Sequence, residues 1–188
     1  MSTPPDSLLD SIQQLQRDYE NKLPPVEKWT PDCNGDLDMR IDREGQWYYQ
    51  GGKIERQSMV KMFSSILKRE GDDYFLVTPV EKWRIQVDQA PFVFVGLRLE
   101  QQGEHQGLVL TTNTGHEVLL SEANPLEVSH ADSGEPRPMA TVYRNLPGLL
   151  NRNVFYELVE LSELETDEQG REWMRVHSAG SWFRLGQI

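Results

Sequence analysis

The chain has 188 residues, and its 30 acidic against 19 basic residues give a formal net charge of −11. A surface with this charge repels polyanions, which argues against binding of DNA or RNA through a broad basic face. The single cysteine, Cys33, excludes an intramolecular disulfide and a zinc site built from cysteines. The first residues lack the pattern of a signal peptide, and no apolar run is long enough to cross a membrane. We therefore expect a cytoplasmic protein with no membrane partner.

Residues 1–30 predict a helix followed by a stiff connector, attached to the main body of the chain. The apolar residues of the helix follow one narrow stripe: Leu8, Ile12, Leu15 and Tyr19. Asp6 or Ser7 can cap its start, and Pro24 and Pro25 end it. We expect this helix to pack across the main body; the alternative is a helix that binds a partner or dimerises.

Residues 31–82 predict the first of two lobes. Alternation of apolar and charged residues over 37–41 predicts a strand, and residues 46–50 return as its hairpin partner. The apolar residues that follow form one broad helical stripe: Met59, Val60, Met62, Phe63, Ile66 and Leu67. Lys68 and Arg69 suit the last turn of this helix, and Gly71 suits its end. A strand over 74–77 is then predicted to pack against the helix.

Residues 83–188 predict a second lobe made mainly of strands joined by short turns. Strands are predicted at residues 83–87, 92–99, 107–112, 117–120, 154–161, 172–176 and 182–185. A loop with at most a short strand at 126–128 is predicted over 124–138, and a short helix over 146–151. The strand over 92–99 is nearly all apolar, which predicts burial on both faces.

Two sequence patterns occur in both halves of the chain. The pattern Gly-x-Trp-aromatic-x-x-Gly occurs at residues 45–51 and again at 180–186. A short helix followed by an apolar strand is also predicted once in each half. The predicted fold class is therefore α+β, with mainly antiparallel sheet and two lobes that arose by internal duplication.

Asp36, Asp38 and Asp42 are the residues that most invite a metal or acid–base interpretation. Asp36 and Asp38 share one face of the predicted strand, where they can flank a cation. However, Arg40 follows on the same face and can neutralise Asp38, and the spacing does not fit an EF-hand loop. We expect a solvated or salt-bridged face; the alternative is an enzyme that holds a divalent cation on Asp36 and Asp38.

No other pattern in the sequence predicts catalysis, a metal or a cofactor. The four histidines do not occur at metal-binding spacing: His105, His116, His130 and His177. There is no nucleophile elbow, no phosphate loop and no dinucleotide fingerprint, and Cys33 has no histidine near it in the sequence. The sequence therefore favours a binding protein over an enzyme.

Polar residues cluster where two of the predicted strands end. Thr78, Glu81 and Lys82 place a hydroxyl, a carboxylate and an ammonium within five residues of one another. Thr112 and Asn113 form a second polar strand end. Small ligands commonly bind at such ends and in clefts between lobes. The alternative is ordinary turn polarity with a pair between Glu81 and Lys82.

Taken together, these motifs resemble the bacterial family known as domain of unknown function 1285, over residues 30–186. The matching motifs are the run from Cys33 to Ile41, Gly45-x-Trp47-Tyr48, the run from Tyr74 to Lys82, Thr112-Asn113 and the run from Val154 to Val159. Asn34 is a departure, since the family pattern has cysteine directly before glycine. The resemblance implies a two-domain fold with internal duplication and a C-terminal domain similar to pleckstrin-homology folds. It also implies a site for a nucleotide-like ligand at the domain interface and a role in signal transduction, but no catalytic residues.

The leading hypothesis is a cytoplasmic module that binds a small anionic, nucleotide-like ligand between its two lobes and serves signalling or regulation. In this hypothesis a phosphate group receives positive charge from Arg40 and Lys82, and hydrogen bonds come from Thr78 and Asn113. Trp47 or Trp83 supplies a stacking face. The full predicted set of ligand-binding residues is Arg40, Trp47, Thr78, Glu81, Lys82, Trp83, Thr112 and Asn113. The alternative is an adaptor that binds a protein partner, or a second copy of itself, through the acidic surface or the N-terminal helix.

Overall fold

The structure is a computed structural model that describes residues 5–20 and 22–188. Residues 1–4 and residue 21, which belong to the predicted N-terminal segment, lie outside the described residues. The chain forms two compact lobes, of which the first ends at Pro91 and the second begins at Phe92. The division therefore lies after residue 91 and not after residue 82.

The first lobe contains two α-helices, a single turn of 3-10 helix and six strands in the described part of the chain. Helix α1 spans Asp6–Asp18, helix α2 spans Gln57–Ser65, and the 3-10 turn spans Val26–Lys28. The strands are β1 (Gly35–Ile41), β2 (Trp47–Tyr49), β3 (Gly52–Lys53), β4 (Leu67–Glu70), β5 (Asp73–Val77) and β6 (Lys82–Val87). The predicted N-terminal helix and the predicted hairpin over 37–50 are confirmed.

These six strands form one sheet in the order β3-β2-β1-β6-β5-β4. Neighbouring strands are antiparallel except β1 and β6, which lie parallel, with Gly35 opposite Trp83 and Arg40 opposite Gln86. Strand β6 therefore lies inside the first sheet, between β1 and β5. This pairing is the reason that the lobe boundary falls after β6, whereas the sequence had assigned residues 83–87 to the second lobe.

Helix α1 packs against α2 and buries the predicted stripe, in which Leu8, Ile12 and Leu15 are all buried. The predicted cap is wrong: α1 begins after Pro5 with no hydrogen bond from a capping side chain. Ser7 instead donates its hydroxyl to Glu81, with 2.8 Å between Oγ and Oε1. The start of α1 is thereby attached to the turn before β6.

Helix α2 ends earlier than the sequence predicted. It stops at Ser65, and Leu67–Glu70 forms strand β4, with Lys68 opposite Phe75 of β5. Gly71 has a φ of +61° and lies in the tight turn between β4 and β5, not at the end of a helix. Because an apolar pair such as Ile66 and Leu67 fits a helix or a strand, the pairing with β5 decides the outcome.

The second lobe contains nine strands and one helix. The strands are β7 (Phe92–Gln102), β8 (His105–Thr112), β9 (Glu117–Leu119), β10 (Leu126–His130), β11 (Pro136–Tyr143), β12 (Leu146–Leu150), β13 (Glu163–Thr166), β14 (Glu172–Ser178) and β15 (Ser181–Gln187). Helix α3 spans Arg152–Glu160. Six strands form a sheet in the order β10-β11-β12-β7-β8-β9, and the last three form a separate sheet in the order β13-β14-β15.

The two six-stranded sheets share one topology, which confirms the predicted duplication. Counted from its own first strand, each sheet has the order 3-2-1-6-5-4. In each, the first and sixth strands form the parallel pair, β1 with β6 and β7 with β12, and the other neighbours are antiparallel. The two lobes differ in where the helix lies along the chain: α2 precedes the fourth strand of its sheet, whereas α3 follows the sixth. Helix α3 is followed by β13–β15, which form the separate three-stranded sheet.

Two predictions between residues 146 and 161 are reversed in the structure. The predicted helix over 146–151 is strand β12, which pairs in parallel with β7, and the predicted strand over 154–161 is helix α3. Asn151 caps that helix by accepting the backbone N–H of Val154 at 2.9 Å. Val154 and Leu158 are the buried residues of α3, and their spacing of four is helical.

The short strand allowed at 126–128 is present as β10, which extends to His130, and the end of the predicted loop is the start of β11. Pro136 and Pro138 lie opposite His130 and Val128 of β10, whereas the pairing of β11 with β12 begins only at Met139. The prolines are tolerated because this end of β11 has no strand on its other side to receive an N–H.

Strand β7 is buried on both faces only at its start, through Phe92, Val93 and Phe94. A bulge follows Phe94, and Val95 and Leu99 are about half exposed, at 51% and 52%.

The repeated Gly-x-Trp pattern marks the second strand of two hairpins, since Trp47 begins β2 and Trp182 lies in β15. These strands are not equivalent in the shared topology, so that pattern reflects similar hairpins. No helix in the described ranges is long and apolar enough to cross a membrane.

Candidate ligand site

The outer face of the first sheet carries ion pairs between neighbouring strands. Asp36 of β1 lies opposite Arg84 of β6, and Asp36 Oδ1 accepts from Arg84 Nε at 2.6 Å. Arg40 binds Asp88 through both carboxylate oxygens, with Nε at 3.0 and 3.1 Å. The hydrogen bonds from Arg84 and Arg40 lower the pKa of Asp36 and of Asp88, respectively. The predicted salt-bridged face is therefore present, but Arg40 neutralises Asp88 and not Asp38.

Asp42, the third of the aspartates noted in the sequence, organises the β1–β2 turn. Its Oδ1 accepts the backbone N–H groups of Glu44 at 3.0 Å and Gln46 at 2.9 Å. Its Oδ2 accepts the hydroxyl of Tyr48 at 3.1 Å. These contacts occupy both carboxylate oxygens, so the side chain has a structural role in the hairpin.

Lys82 is held by partners inside the first lobe. Its Nζ lies 2.5 Å from Glu70 Oε2 and 4.3 Å from the centre of the Phe75 ring, and its side chain is only 15% exposed. Glu70 also binds Lys68 at 3.2 Å. The hydrogen bond from Lys82 lowers the pKa of Glu70, so this carboxylate is ionised at neutral pH. A phosphate that used Lys82 would therefore have to displace Glu70.

Thr78 and Glu81 build the turn between β5 and β6. Thr78 is fully buried, and its Oγ1 accepts the backbone N–H of Glu81 at 3.0 Å. The Glu81 carboxylate receives the hydroxyl of Ser7, as described above. The polar composition of this strand end is explained by turn geometry and by attachment of α1.

The two tryptophans of the predicted site differ in access. Trp47 is 1% exposed and stacks on Phe63 with 6.0 Å between ring centroids, so its ring is part of the core and cannot stack on a ligand. Trp83 is half-buried and lies opposite Gly35 of the parallel strand. A Cβ atom at Gly35 would lie 4.0 Å from the Trp83 ring, an ordinary van der Waals contact, so it is the φ of +130° and not the ring that favours glycine there.

Thr112 and Asn113 shape the turn between β8 and β9 in the second lobe. Thr112 is buried, and its Oγ1 accepts the backbone N–H of His116 at 2.9 Å. Asn113 Oδ1 accepts the backbone N–H of Val93 at 3.2 Å, which ties the turn to β7. The second polar strand end is thus also explained by local structure.

The predicted residues do not converge within the first lobe. Arg40 lies opposite Gln86, four residues along β6 from Lys82. At about 3.3 Å per residue the two positions are about 13 Å apart along the strand. Arg40 is bound to Asp88 and Lys82 to Glu70, so the structure does not bring these two side chains together at one site.

The first lobe contains a cleft that the sequence did not predict. It has a volume of about 420 Å³ and lies where the β4–β5 turn meets the β1–β6 pair. Its polar groups come from Asp36, Asp72, Asp73, Arg84 and Gln86, and its apolar groups from Leu37, Tyr74, Ile85 and Val87. The volume is in the range of small-molecule sites. The available signal was Gly71-Asp72-Asp73, but from the sequence only Gly71 was assigned a role, as the end of the helix, and the two aspartates were assigned none.

The electrostatics of the cleft favour ion pairing and do not suit proton transfer. Asp36 is ionised through its hydrogen bond with Arg84, since that bond lowers its pKa. Burial raises the pKa of Tyr74, so its hydroxyl stays protonated at neutral pH. The lining contains neither histidine nor cysteine. Among the residues that the structure describes, no group of three or more His, Cys, Asp or Glu side chains is placed to hold a metal ion.

Comparison with known proteins identifies the family to which this chain belongs. The model for the N-terminal domain of DUF1285, a domain of unknown function, matches residues 24–90, and the model for its C-terminal domain matches residues 91–185. No curated protein matches the chain.

Two solved structures are similar to this chain. A DUF1285 family protein from Silicibacter pomeroyi DSS-3 is 42% identical over 100% of this chain and 97% of its own, with a TM-score of 0.85. A DUF1285 family protein from Shewanella baltica OS155 is 31% identical over 66% of this chain and 91% of its own, with a TM-score of 0.52. From the two domain models and the first of these structures, we conclude that the chain belongs to the DUF1285 family.

Proposed function

We propose that this protein is a non-enzymatic binding module with a regulatory role, and that its first lobe holds a small ligand. The observation that carries the proposal is the cleft of about 420 Å³, whose lining contains both charged and apolar residues. Such a combination gives a ligand both buried apolar contact and fixed polar partners. The apolar residues of the lining come from β1, β5 and β6, which are neighbouring strands of one sheet.

The charges of the cleft favour a ligand that carries a positive group. Its lining has three carboxylates and one guanidinium, and the guanidinium of Arg84 is already bound to Asp36 at 2.6 Å. Asp72 and Asp73 lie at the β4–β5 turn, and both side chains are exposed. The ammonium group of a small amine would pair with these carboxylates, and its apolar part would contact the apolar residues of the lining. The nucleotide-like, anionic ligand expected from the sequence would have to take Arg84 from Asp36.

A thermal-shift screen of the full chain tests the proposal, using aliphatic and aromatic amines in one panel and nucleotides and dinucleotides in another. A ligand at 100 times its dissociation constant stabilises the folded state by about 2.7 kcal/mol. For a chain of 188 residues this corresponds to about 5–10 °C. We expect a hit among the amines that loses its shift in the double variant Asp72→Asn, Asp73→Asn.

Asp132→Asn is the matched control, because Asp132 is an exposed aspartate in a turn of the second lobe. A shift that survives the double variant would place the ligand elsewhere. A screen in which neither panel shifts a cooperative melting transition would overturn the small-ligand proposal.

The second candidate function is an adaptor that binds another protein. Its specific support is three exposed apolar side chains in this part of the chain: Tyr156 in α3, Leu161 directly after α3 and Leu164 on β13, with exposures of 55%, 44% and 61%. Strand β13 is also the edge of the three-stranded sheet. Light scattering of the purified chain and of Leu164→Glu tests it, since an assembly through this edge would dissociate in the variant. An unchanged mass would remove self-association through β13.

A further inference from the structure

The outer face of the three-stranded sheet carries a continuous row of stacked aromatic and arginine side chains. Arg184 lies 4.7 Å from the Trp173 ring, and Arg175 lies 3.9 Å from the Trp182 ring. His177 continues the row, with its ring centroid 4.9 Å from that of Trp182. Cation–π contacts account for the arginine part of the row, but they do not account for its other end, where two histidines meet.

That end of the row brings together two imidazoles that are distant in sequence. His105 is the first residue of β8, and His177 lies near the end of β14, with 5.5 Å between ring centroids and a tilt of 60°. A backbone hydrogen bond from Ala179 to the carbonyl of Gln106, at 2.9 Å, holds the β14–β15 turn beside the start of β8. The approach of the two rings is therefore fixed by the backbone of both elements.

From this geometry we propose a two-histidine site for a late first-row divalent metal ion, copper(II) or zinc, at His105 and His177. In a metal–imidazole bond the nitrogen lies about 2.0–2.1 Å from the metal, which places the ring centre about 3.2 Å from it. Two ring centres 5.5 Å apart then subtend about 120° at a shared ion. A tetrahedral site requires about 5.2 Å between the centres, so the observed separation allows both rings to turn one nitrogen toward a shared ion.

The surroundings suit a divalent cation bound by two protein ligands and water. Arg175 is the nearest guanidinium on the same strand, but its charge is offset by Glu163 at 3.0 Å and Glu165 at 3.5 Å. His105 is exposed, which leaves the remaining coordination positions open to solvent. Imidazole is a ligand that both copper(II) and zinc accept, and copper(II) binds a given set of nitrogen ligands more tightly. Copper(II) is therefore the more sensitive probe.

The test is a calorimetric titration of the full chain, free of any histidine tag, with copper(II) and separately with zinc. We expect one equivalent to bind, and we expect His105→Gln and His177→Gln each to weaken binding by at least about tenfold, as loss of metal-site contacts does. His130→Gln is the matched control, since His130 is an exposed histidine at the end of β10. It should bind as the native chain does.

Trp182 supplies an independent readout because its ring lies 4.9 Å from that of His177. Copper(II) bound at the pair should quench tryptophan fluorescence, and Trp182→Phe should remove that quenching while leaving the calorimetric affinity unchanged. Thermal melting of each variant confirms that it is folded; His105→Gln, at an exposed position, keeps the test valid if His177→Gln unfolds. If no ion binds, or if affinity in His105→Gln stays within twofold of the native chain, the proposal is wrong.

Discussion

Replacing Ser178 with alanine is expected to destabilise the second lobe, because this one hydroxyl joins three segments of it. Ser178 is fully buried, and its Oγ donates to the carbonyl of Leu120 at 2.6 Å and accepts the N–H of Leu108 at 2.8 Å. Alanine would leave a buried carbonyl and a buried N–H without this partner. Each such group costs about 1–3 kcal/mol, and we expect about 3 kcal/mol in total. For 188 residues this is a decrease of about 6–12 °C in Tm.

Urea unfolding followed by tryptophan fluorescence measures this loss. Ser162→Ala is the control, because the Ser162 hydroxyl bonds only to the carbonyl of Val159 one turn away, at 2.6 Å, in a half-buried position. We expect the control to lose less than about 1 kcal/mol. If Ser178→Ala and Ser162→Ala unfold within about 0.5 kcal/mol of each other, Ser178 does not hold β14 to the larger sheet energetically, and the reasoning fails.

Three further predictions concern the second lobe. In Gly148→Ala the new Cβ would lie 2.6 Å from a ring carbon of Phe94, so overpacking should lower stability by about 1–3 kcal/mol in the same urea assay. Asn151→Ala removes the cap of α3 and should cost about 1 kcal/mol, whereas Asn151→Ser should retain most of it; equal losses would contradict the capping role. The backbone N–H of Arg171 is the main cause of the lowered pKa of Asp167, so this carboxylate stabilises the fold above its unfolded pKa of about 3.9 and loses that effect as the pH falls further. The difference in urea midpoint between the native chain and Asp167→Asn should therefore be larger at pH 7 than at pH 3, and a constant difference would show that Asp167 does not act through its charge.

Elements with one clear period were predicted well from the sequence. The alternation over 37–41 became β1, in which Leu37, Met39 and Ile41 are buried, and the stripe of the first helix became the buried side of α1. In both cases the pattern fits only one secondary structure. Ile66-Leu67, Leu149-Leu150 and Val154–Leu158 fit more than one, and there the prediction failed. Of these, only the last had a local signal for its structure, the cap at Asn151.

The candidate sites depend on pairings that no local pattern contains. Arg40 and Asp88 are 48 residues apart, as are Asp36 and Arg84, and the parallel alignment of β1 with β6 brings both pairs together. The sequence without that alignment predicted that Arg40 neutralises Asp38 and that Lys82 binds a phosphate. The cleft required, in addition, that Asp72 and Asp73 lie in a hairpin turn beside β6.

The sequence by itself determined the charge balance, the α+β class, the two lobes, the first helix and the first hairpin, because these follow from composition and from short-range periodicity. The tertiary structure alone decided which strands pair, where one lobe ends, which charged groups neutralise each other and which histidines meet. In both six-stranded sheets one central parallel pair joins the two halves of the sheet, β1 with β6 and β7 with β12. Strands joined in this way are distant in the chain, so their register, and every site that depends on it, is set by packing over the whole lobe.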